Sequence, residues 1–206
     1  MPFLKNKKQE IANLLSNTFF DLKNLLDEET SYIYLDSLWI KAELFRKSSN
    51  FIRDFLEKKQ ILNQATSIMA ADKLKYPFGI IPIASVISLT EEKDLLIWKE
   101  QGDFLTGKPL VYGHGTQDIT NVIILHDVFL GGYSIIKMIE SLRHIEEKHN
   151  KKCEIINICS LVNLANESVI ERTIDDINKR TNKKIKADNL LFILDLSAFW
   201  DWEEGA

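Results

Sequence analysis

The sequence has few of the residues that mark disulfide-bonded, metal-binding or membrane-spanning proteins. It contains only two cysteines, Cys153 and Cys159, whose spacing matches neither CxxC nor a zinc site and which lie in an apolar stretch. The longest nearly apolar run, Phe78–Leu89, contains Pro82 and is shorter than the roughly 20 residues that cross a bilayer. The start, MPFLKNKKQE, has no apolar segment typical of a signal peptide. We therefore expect reduced, buried thiols in a cytoplasmic protein that does not enter a membrane.

The charges do not favour a polyanionic partner. The chain has 26 basic and 30 acidic side chains, for a net charge of −4. A surface balanced in this way has no overall positive field to attract nucleic acid or anionic lipid. We expect no nucleic-acid partner, and any site for an anion must be local.

The chain shows no internal repeat and no linker rich in proline, glycine or serine. The 206 residues, 45% of them hydrophobic, are enough to bury one sizeable core. We therefore predict a single domain over 1–206, with N-terminal helices and a short strand in 1–62 and an α/β core in 63–206. In the N-terminal part the patterns predict an amphipathic helix at about 6–26, a strand at 31–36 (SYIYLD), and one or two helices in 37–62 with a break or cap at Ser48–Asn50.

From residue 66 onward, short apolar runs alternate with helical patterns. The strand-like runs are TSIMAA, DLLIW, NVIIL, CEIINIC and LLFIL, and the helical patterns cover Ile80–Leu89, Ile135–Glu147 and Glu167–Arg180. Strands that are apolar almost throughout are typical of a sheet buried on both faces. The alternation predicts a doubly wound α/β fold, with a mostly parallel sheet flanked by helices. In such folds ligands bind beyond the carboxyl ends of the strands.

The most informative strand end lies in 121–137, NVIILHDVFLGGYSIIK. We predict that a strand ends at Leu125, that His126 and Asp127 follow it, and that Ser134 opens a helix. Glycines allow a loop to turn its backbone N–H groups inward, and the helix N-terminus adds partial positive charge. The loop therefore has the chemistry to hold a phosphate. Alternatively, the glycines make a tight strand-to-helix connection and Ser134 is an N-cap, and the residues alone favour neither interpretation.

Five segments, in this order along the chain, resemble the type I phosphoribosyltransferases, and among them orotate phosphoribosyltransferase. The segments are SYIYLD, FGIIPIA, LLIWKEQGDFLTGKPLVYG, VIILHDVFLGGYS and INICSLVN. In the family they correspond to a substrate strand, the pyrophosphate loop, a small mobile hood, the ribose-phosphate site and a strand with a base-binding arginine. The order covers about residues 20–195 of the chain.

The resemblance implies a role for each matched residue. The ribose and 5-phosphate would be held by His126, Asp127, Leu130, Gly131, Gly132, Tyr133 and Ser134. The pyrophosphate loop would include Phe78, Gly79 and Ile80, and the hood would span about 99–115. Lys99 would bind a second phosphate and act with Asp127 in catalysis, while Trp98 would lie on the base side or pack the hood shut. The family also implies a homodimer, and Mg²⁺ if pyrophosphate is bound, with no direct protein ligand for the metal.

The sequence differs from the family at several positions where the family has charged residues. His126 stands in place of the first of two adjacent acids. The threonines of the family loop correspond to Leu130 and Gly131, and the base-binding arginine corresponds to Leu164. The family's basic turn corresponds to Asp27, Glu28 and Glu29. Its cationic hood residues correspond to Trp98, Lys99, Gly102 and Phe104. Losing three hydrogen bonds to charged groups costs roughly 4 to 9 kcal/mol. We therefore expect either transfer of phosphoribose to a base such as orotate, or an inactive relative that binds a nucleotide or a partner protein.

Overall fold

The computed structural model describes residues 42–72, 80–100, 110–113 and 119–197. The helix predicted at 6–26 and the strand predicted at 31–36 lie outside these residues. Phe78, Gly79 and most of the predicted hood lie outside them as well.

The described residues form helices and strands in alternation. The α-helices are α1 Ala42–Lys58, α2 Ile81–Thr90, α3 Tyr133–His149 and α4 Glu167–Thr181. The strands are β1 Ser67–Asp72, β2 Asp94–Lys99, β3 Leu110–Gly113, β4 Asn121–Phe129, β5 Glu154–Asn163 and β6 Leu190–Asp195. Single turns of 3₁₀-helix lie at Leu62–Gln64 and Ala187–Asn189.

The strands form one sheet in the order β3-β2-β1-β4-β5-β6. All neighbouring pairs are parallel except β2 and β3, which are antiparallel. The mostly parallel sheet confirms the predicted fold class. The short strand β3 was not predicted, because its four residues are too few to show a period of their own.

Helices cover both faces of the sheet because successive residues of the central strand are buried on opposite sides. Ile123 and Leu125 belong to one core cluster, with residues of α1 and α2. Val122 and Ile124 belong to a second cluster, with residues of α3 and α4. Burial on both faces is what a parallel sheet in a doubly wound fold requires.

The structure differs from the sequence-based prediction in the extent of one helix and two strands. Helix α1 runs through Ser48–Asn50 without the predicted break, because Ser49 donates its hydroxyl to the carbonyl oxygen of Phe45 (2.9 Å) within the helix. Strand β4 continues four residues past Leu125, and β5 continues four residues past Cys159. The two extensions support each other, since Val128 pairs with Val162 and Phe129 with Asn163.

Both cysteines are free and buried, as predicted. Burial raises the pKa of the Cys159 thiol to about 12. Among the described residues, no helix is both long and apolar enough to cross a bilayer.

An ion pair between α3 and the segment after α4 closes the amino end of the sheet. Lys183 Nζ lies 2.6 Å from Glu146 Oε1 and donates to the carbonyl oxygen of Cys153 at 2.5 Å. The Cys153 N–H donates to the same Glu146 oxygen at 2.6 Å. These bonds hold both helices to the start of β5, at the end opposite the predicted ligand site.

Candidate functional site

The strands that follow β1 are added first on one side of it and then on the other. After β1 the chain proceeds outward to β2, and it returns to the other side of β1 for β4. Helix α2 packs on one face of the sheet and α3 on the other. Because α2 and α3 lie on opposite faces, the carboxyl ends of β1 and β4 form the switch point at which ligands bind in open α/β sheets.

The strand register brings charged residues to this edge. Ala70 of β1 pairs with Leu125 of β4, and Asp72 and Asp127 each lie two residues farther along. Asp72 in turn pairs with Lys99 at the end of β2. Lys99 and Asp127 therefore belong to the strands on either side of β1 and lie toward the same edge of the sheet.

His126 and Asp127 are part of β4 rather than of the loop after it. The imidazole is buried with 3% of the residue exposed, and its Nδ1 lies 3.3 Å from Asp127 Oδ1. That oxygen also accepts a hydrogen bond from the Val128 N–H at 2.8 Å. The Asp127 side chain keeps 13% of its surface exposed. The histidine therefore lies beside the carboxylate and is covered, whereas the carboxylate reaches solvent.

The loop after β4 exposes its tip and leads directly into α3. Leu130 is 37% exposed and Tyr133 is 62% exposed. A Cβ added at Gly131 would meet nothing within 4 Å. Gly132, not Ser134, is the N-cap of α3, with φ +70° and no side-chain capping bond. Gly132 therefore caps none of the first backbone N–H groups of α3 with a side chain. Uncapped N–H groups at a helix N-terminus favour an anion.

Gly132 also packs closely against α4. A Cβ at this position would lie 2.2 Å from Thr173 Cγ2 and 2.5 Å from Thr173 Oγ1. Gly132 makes the tight connection, while Gly131 leaves the loop open toward solvent.

The residues at the end of β5 stabilise the fold. Leu164, at the position of the family's base-binding arginine, is buried in the core on the α1–α2 face. The Asn163 amide is fully buried and donates to Ala165 O (3.1 Å) and Asp195 Oδ1 (3.0 Å), and its Oδ1 accepts from the Ala165 N–H (3.0 Å). Neither Asn163 nor Leu164 brings a positive charge to the carboxyl edge of the sheet.

Two other predicted site residues are also packed in the core. Trp98 is 4% exposed and belongs to the core cluster on the α3–α4 face. Ile80 is buried and is the N-cap of α2, where its carbonyl oxygen accepts from the Ala84 N–H at 3.0 Å. In this structure, the indole of Trp98 packs against the protein rather than presenting a free face for stacking.

Sequence reasoning missed Thr173, although the chain contains a signal for it. The buried positions of α4 are Val169, Thr173, Ile177 and Thr181, spaced four residues apart. Two of these four residues are polar, and a polar residue in the buried stripe of a helix marks a position with a specific contact. Within the residues that the structure describes, no group of three or more His, Cys, Asp or Glu side chains is arranged to hold a metal ion.

Comparison with protein-family models and with curated proteins finds no match to this sequence. Solved structures do match. An orotate phosphoribosyltransferase from Aeropyrum pernix superposes with a TM-score of 0.63 at 17% identity, over 92% of this chain and 95% of that one. An orotate phosphoribosyltransferase from Francisella tularensis gives a TM-score of 0.56 at 11% identity, over 90% and 88%.

The similarity extends to adenine phosphoribosyltransferases. The enzyme from Trypanosoma brucei, solved with AMP, pyrophosphate and ribose-5-phosphate, gives a TM-score of 0.53 at 12% identity, over 84% of this chain and 72% of that one. Neighbours that act on different bases share this architecture, so the similarity concerns the fold. The chain has the fold of the type I phosphoribosyltransferases.

Proposed function

We propose that this chain binds a phosphorylated ribose at the carboxyl edge of β1 and β4. The observation that carries the proposal is the loop 130–134, which enters α3 through a left-handed glycine and leaves the helix N-terminus without a side-chain cap. Backbone N–H groups of this loop would bind the 5-phosphate. The Asp127 carboxylate, exposed in part beside the loop, would accept hydrogen bonds from the ribose hydroxyls.

Lys99 is the residue we assign to a second phosphate. It ends β2 in register with Asp72, two strands from Asp127, which suits a ligand longer than a single phosphate. Mg²⁺ enters the proposal only with a pyrophosphate group, which holds the ion largely through its own oxygens and water. We assign no protein residue as a direct ligand of this metal.

The site supports binding better than it supports transfer. Phosphoribosyl transfer places negative charge on the departing pyrophosphate, and preorganised cations stabilise that charge. Of the described residues matched to the family's cations, Leu164 is in the core and Trp98 is buried, which leaves Lys99. We therefore propose a nucleotide-binding or regulatory role, without catalysis.

Orotate phosphoribosyl transfer, a step of pyrimidine nucleotide synthesis, is the second candidate. It is favoured by the match to the Aeropyrum pernix enzyme along almost the whole of both chains. In this reaction a base nitrogen forms a bond to C1 of the ribose while the bond from C1 to the pyrophosphate oxygen breaks. Asp127 would hold the ribose, and Lys99 would stabilise the leaving pyrophosphate.

Calorimetry followed by a product assay distinguishes the two candidates. The purified chain is titrated with phosphoribosyl pyrophosphate and Mg²⁺, and separately with orotidine monophosphate. It is then incubated with orotate and phosphoribosyl pyrophosphate. Heat of binding without product supports the binding role, and orotidine monophosphate formation supports the transferase. The absence of binding heat with both ligands contradicts both.

We also propose that the chain acts as a cytoplasmic homodimer without a nucleic-acid partner. The sequence-level resemblance supports the dimer, and the balanced charge supports the lack of a nucleic-acid partner. Light scattering on the purified chain would give twice the 23.8 kDa mass of one copy. A mass of one copy at micromolar concentration would contradict the dimer.

A further inference from the structure

We propose that Thr173 is a positioning residue, which fixes the loop 130–134 in the shape that binds phosphate. Its side chain is 2% exposed and lies directly against the backbone of Gly132, in the space that a Cβ at Gly132 would occupy. The inference rests on the proposed phosphate site, and it adds a residue from α4 that does not itself touch the ligand.

The Thr173 side chain is held in one orientation. Its hydroxyl donates to the carbonyl oxygen of Val169 at 2.8 Å, one turn earlier in α4. A β-branched side chain with its hydroxyl bonded in this way has little rotational freedom. With the hydroxyl held, the methyl group Cγ2 is fixed as well, and this is the atom that a Cβ at Gly132 would approach most closely.

Helix α4 is in turn anchored to the edge of the sheet. Its N-cap, Asn166, accepts hydrogen bonds from the Val169 N–H at 3.0 Å and from the Ser168 hydroxyl at 2.8 Å. Just before it, the buried amide of Asn163 is bonded to both polar backbone atoms of Ala165. The position of Thr173 is therefore set by the end of β5, the strand that pairs with β4 as far as Phe129 and Asn163.

The two glycines of the loop have different surroundings. Thr173 packs under Gly132, whereas the space at the Gly131 Cβ position is open. The N–H groups that follow Gly132 begin α3, and the Ile136 N–H already donates to the Gly132 carbonyl oxygen at 3.0 Å. A shift of Gly132 toward α4 would therefore move the first turn of α3 and misdirect the N–H groups assigned to the phosphate.

Two substitutions separate the contact from the hydrogen bond. Thr173→Ser keeps the hydroxyl and removes the methyl group that supports Gly132, and Thr173→Val keeps this methyl group and replaces the hydroxyl with a second methyl group. Thr181→Ser is the matched control, because Thr181 is a buried threonine of the same helix that donates to Ile177 O at 2.7 Å, two turns farther along.

The first measurement uses the ligand-free chain. The Ile136 amide, which donates to the Gly132 carbonyl oxygen, should exchange about tenfold faster in Thr173→Ser and as in the wild type in Thr173→Val and Thr181→Ser. Exchange at 121–125 of β4 should not change in any variant. A rise spread equally over all amides, or no rise at Ile136, would overturn the positioning role.

The second measurement is the affinity for ribose 5-phosphate. Its Kd should rise about tenfold in Thr173→Ser, the effect of weakening one hydrogen bond to a charged group, and less than about twofold in the other two variants. An unchanged Kd in Thr173→Ser would overturn the inference. If the wild-type chain binds no ribose 5-phosphate, the proposed function fails, and exchange at the Ile136 amide alone then decides whether Thr173 fixes the loop.

Discussion

The Nδ1 atom of the buried His126 lies 3.3 Å from Oδ1 of Asp127, which also accepts the Val128 N–H. The family presents two acids at these positions, and this chain presents one acid beside an imidazole. In the proposed site, the pair would leave a single carboxylate for the ribose hydroxyls, and two neighbours in β4 set its orientation. A change at Asp127 therefore tests the ribose site with little effect on the strand.

We predict that Asp127→Asn weakens binding of ribose 5-phosphate by at least about tenfold, because it replaces a charged acceptor with a neutral amide. The asparagine oxygen can still accept the Val128 N–H, so the melting temperature should change by less than about 3 °C. Calorimetry and thermal unfolding measure the two effects.

Asp195→Asn is the matched control for this change. Asp195 ends β6 at the same edge of the sheet and accepts hydrogen bonds from the Asn163 amide and the Ser197 N–H through one oxygen. It lies two strands from Asp127 and should leave the affinity unchanged. Equal losses in both variants would contradict a specific role for Asp127.

The two loop glycines should respond differently to alanine. Gly132→Ala forces a side chain onto a φ of +70° and into Thr173, so it should lower the free energy of unfolding by about 2 to 4 kcal/mol. Gly131→Ala adds a methyl group in open space and should change it by less than about 0.5 kcal/mol. Urea unfolding of both variants measures the difference, and similar losses in both would contradict the packing described at Gly132.

The ion pair at the opposite end of the sheet should contribute to stability. Lys183 and Glu146 have side chains 13% and 15% exposed, so Lys183→Met leaves a mostly buried carboxylate without its cation. We expect a loss of about 2 to 4 kcal/mol in the free energy of unfolding.

Two further variants check this value. Lys184→Met, at the exposed neighbour, should cost less than about 0.5 kcal/mol. In the double variant Glu146→Met with Lys183→Met, part of the lost stability should return, because no buried charge remains. A double variant as unstable as the two single losses added together would contradict coupling between these side chains.

Stability should fall at alkaline pH because of Cys159. Its folded-state pKa, about 12, lies above the ordinary value of 9.0, so the folded chain retains a proton that the unfolded chain loses. The stabilisation is complete below pH 9 and is lost as the pH rises toward 12, by up to about 1.4 kcal/mol per pH unit.

Comparison with Cys159→Ala isolates this contribution, since lysine and tyrosine side chains titrate in the same range in both proteins. The difference in free energy of unfolding between wild type and variant should be constant below pH 9 and should shrink above it. A difference that stays constant up to pH 11 would show that the thiol is not buried as described.

Much of the fold could be predicted because each central strand is apolar on both faces. Residues such as Ile123 and Ile124 are consecutive and both buried, which is a local pattern that the sequence shows directly. The end of β4 could not be predicted in this way, since His126 and Asp127 are polar and such residues after an apolar run predict a loop. They remain in the strand because β5 pairs alongside as far as Asn163.

The type of site could be predicted from the sequence, but the contacts that support the loop could not. Glycines before a helix suggest a phosphate loop, but the sequence does not show which glycine is packed and which is open. That distinction depends on where α4 places Thr173, and the contact with Gly132 joins residues far apart in the chain. The burial of Trp98 likewise depends on how α3 and α4 cover the sheet.

The most direct test is an NMR titration of the chain with ribose 5-phosphate, which follows every backbone amide. If the loop after β4 binds the phosphate, the largest shifts will fall on Gly131, Gly132, Tyr133 and Ser134, and they will saturate together with one Kd. Shifts confined to other parts of the chain, such as 151–157 and 183–189 at the opposite edge of the sheet, or no shifts at millimolar ligand, would contradict the account.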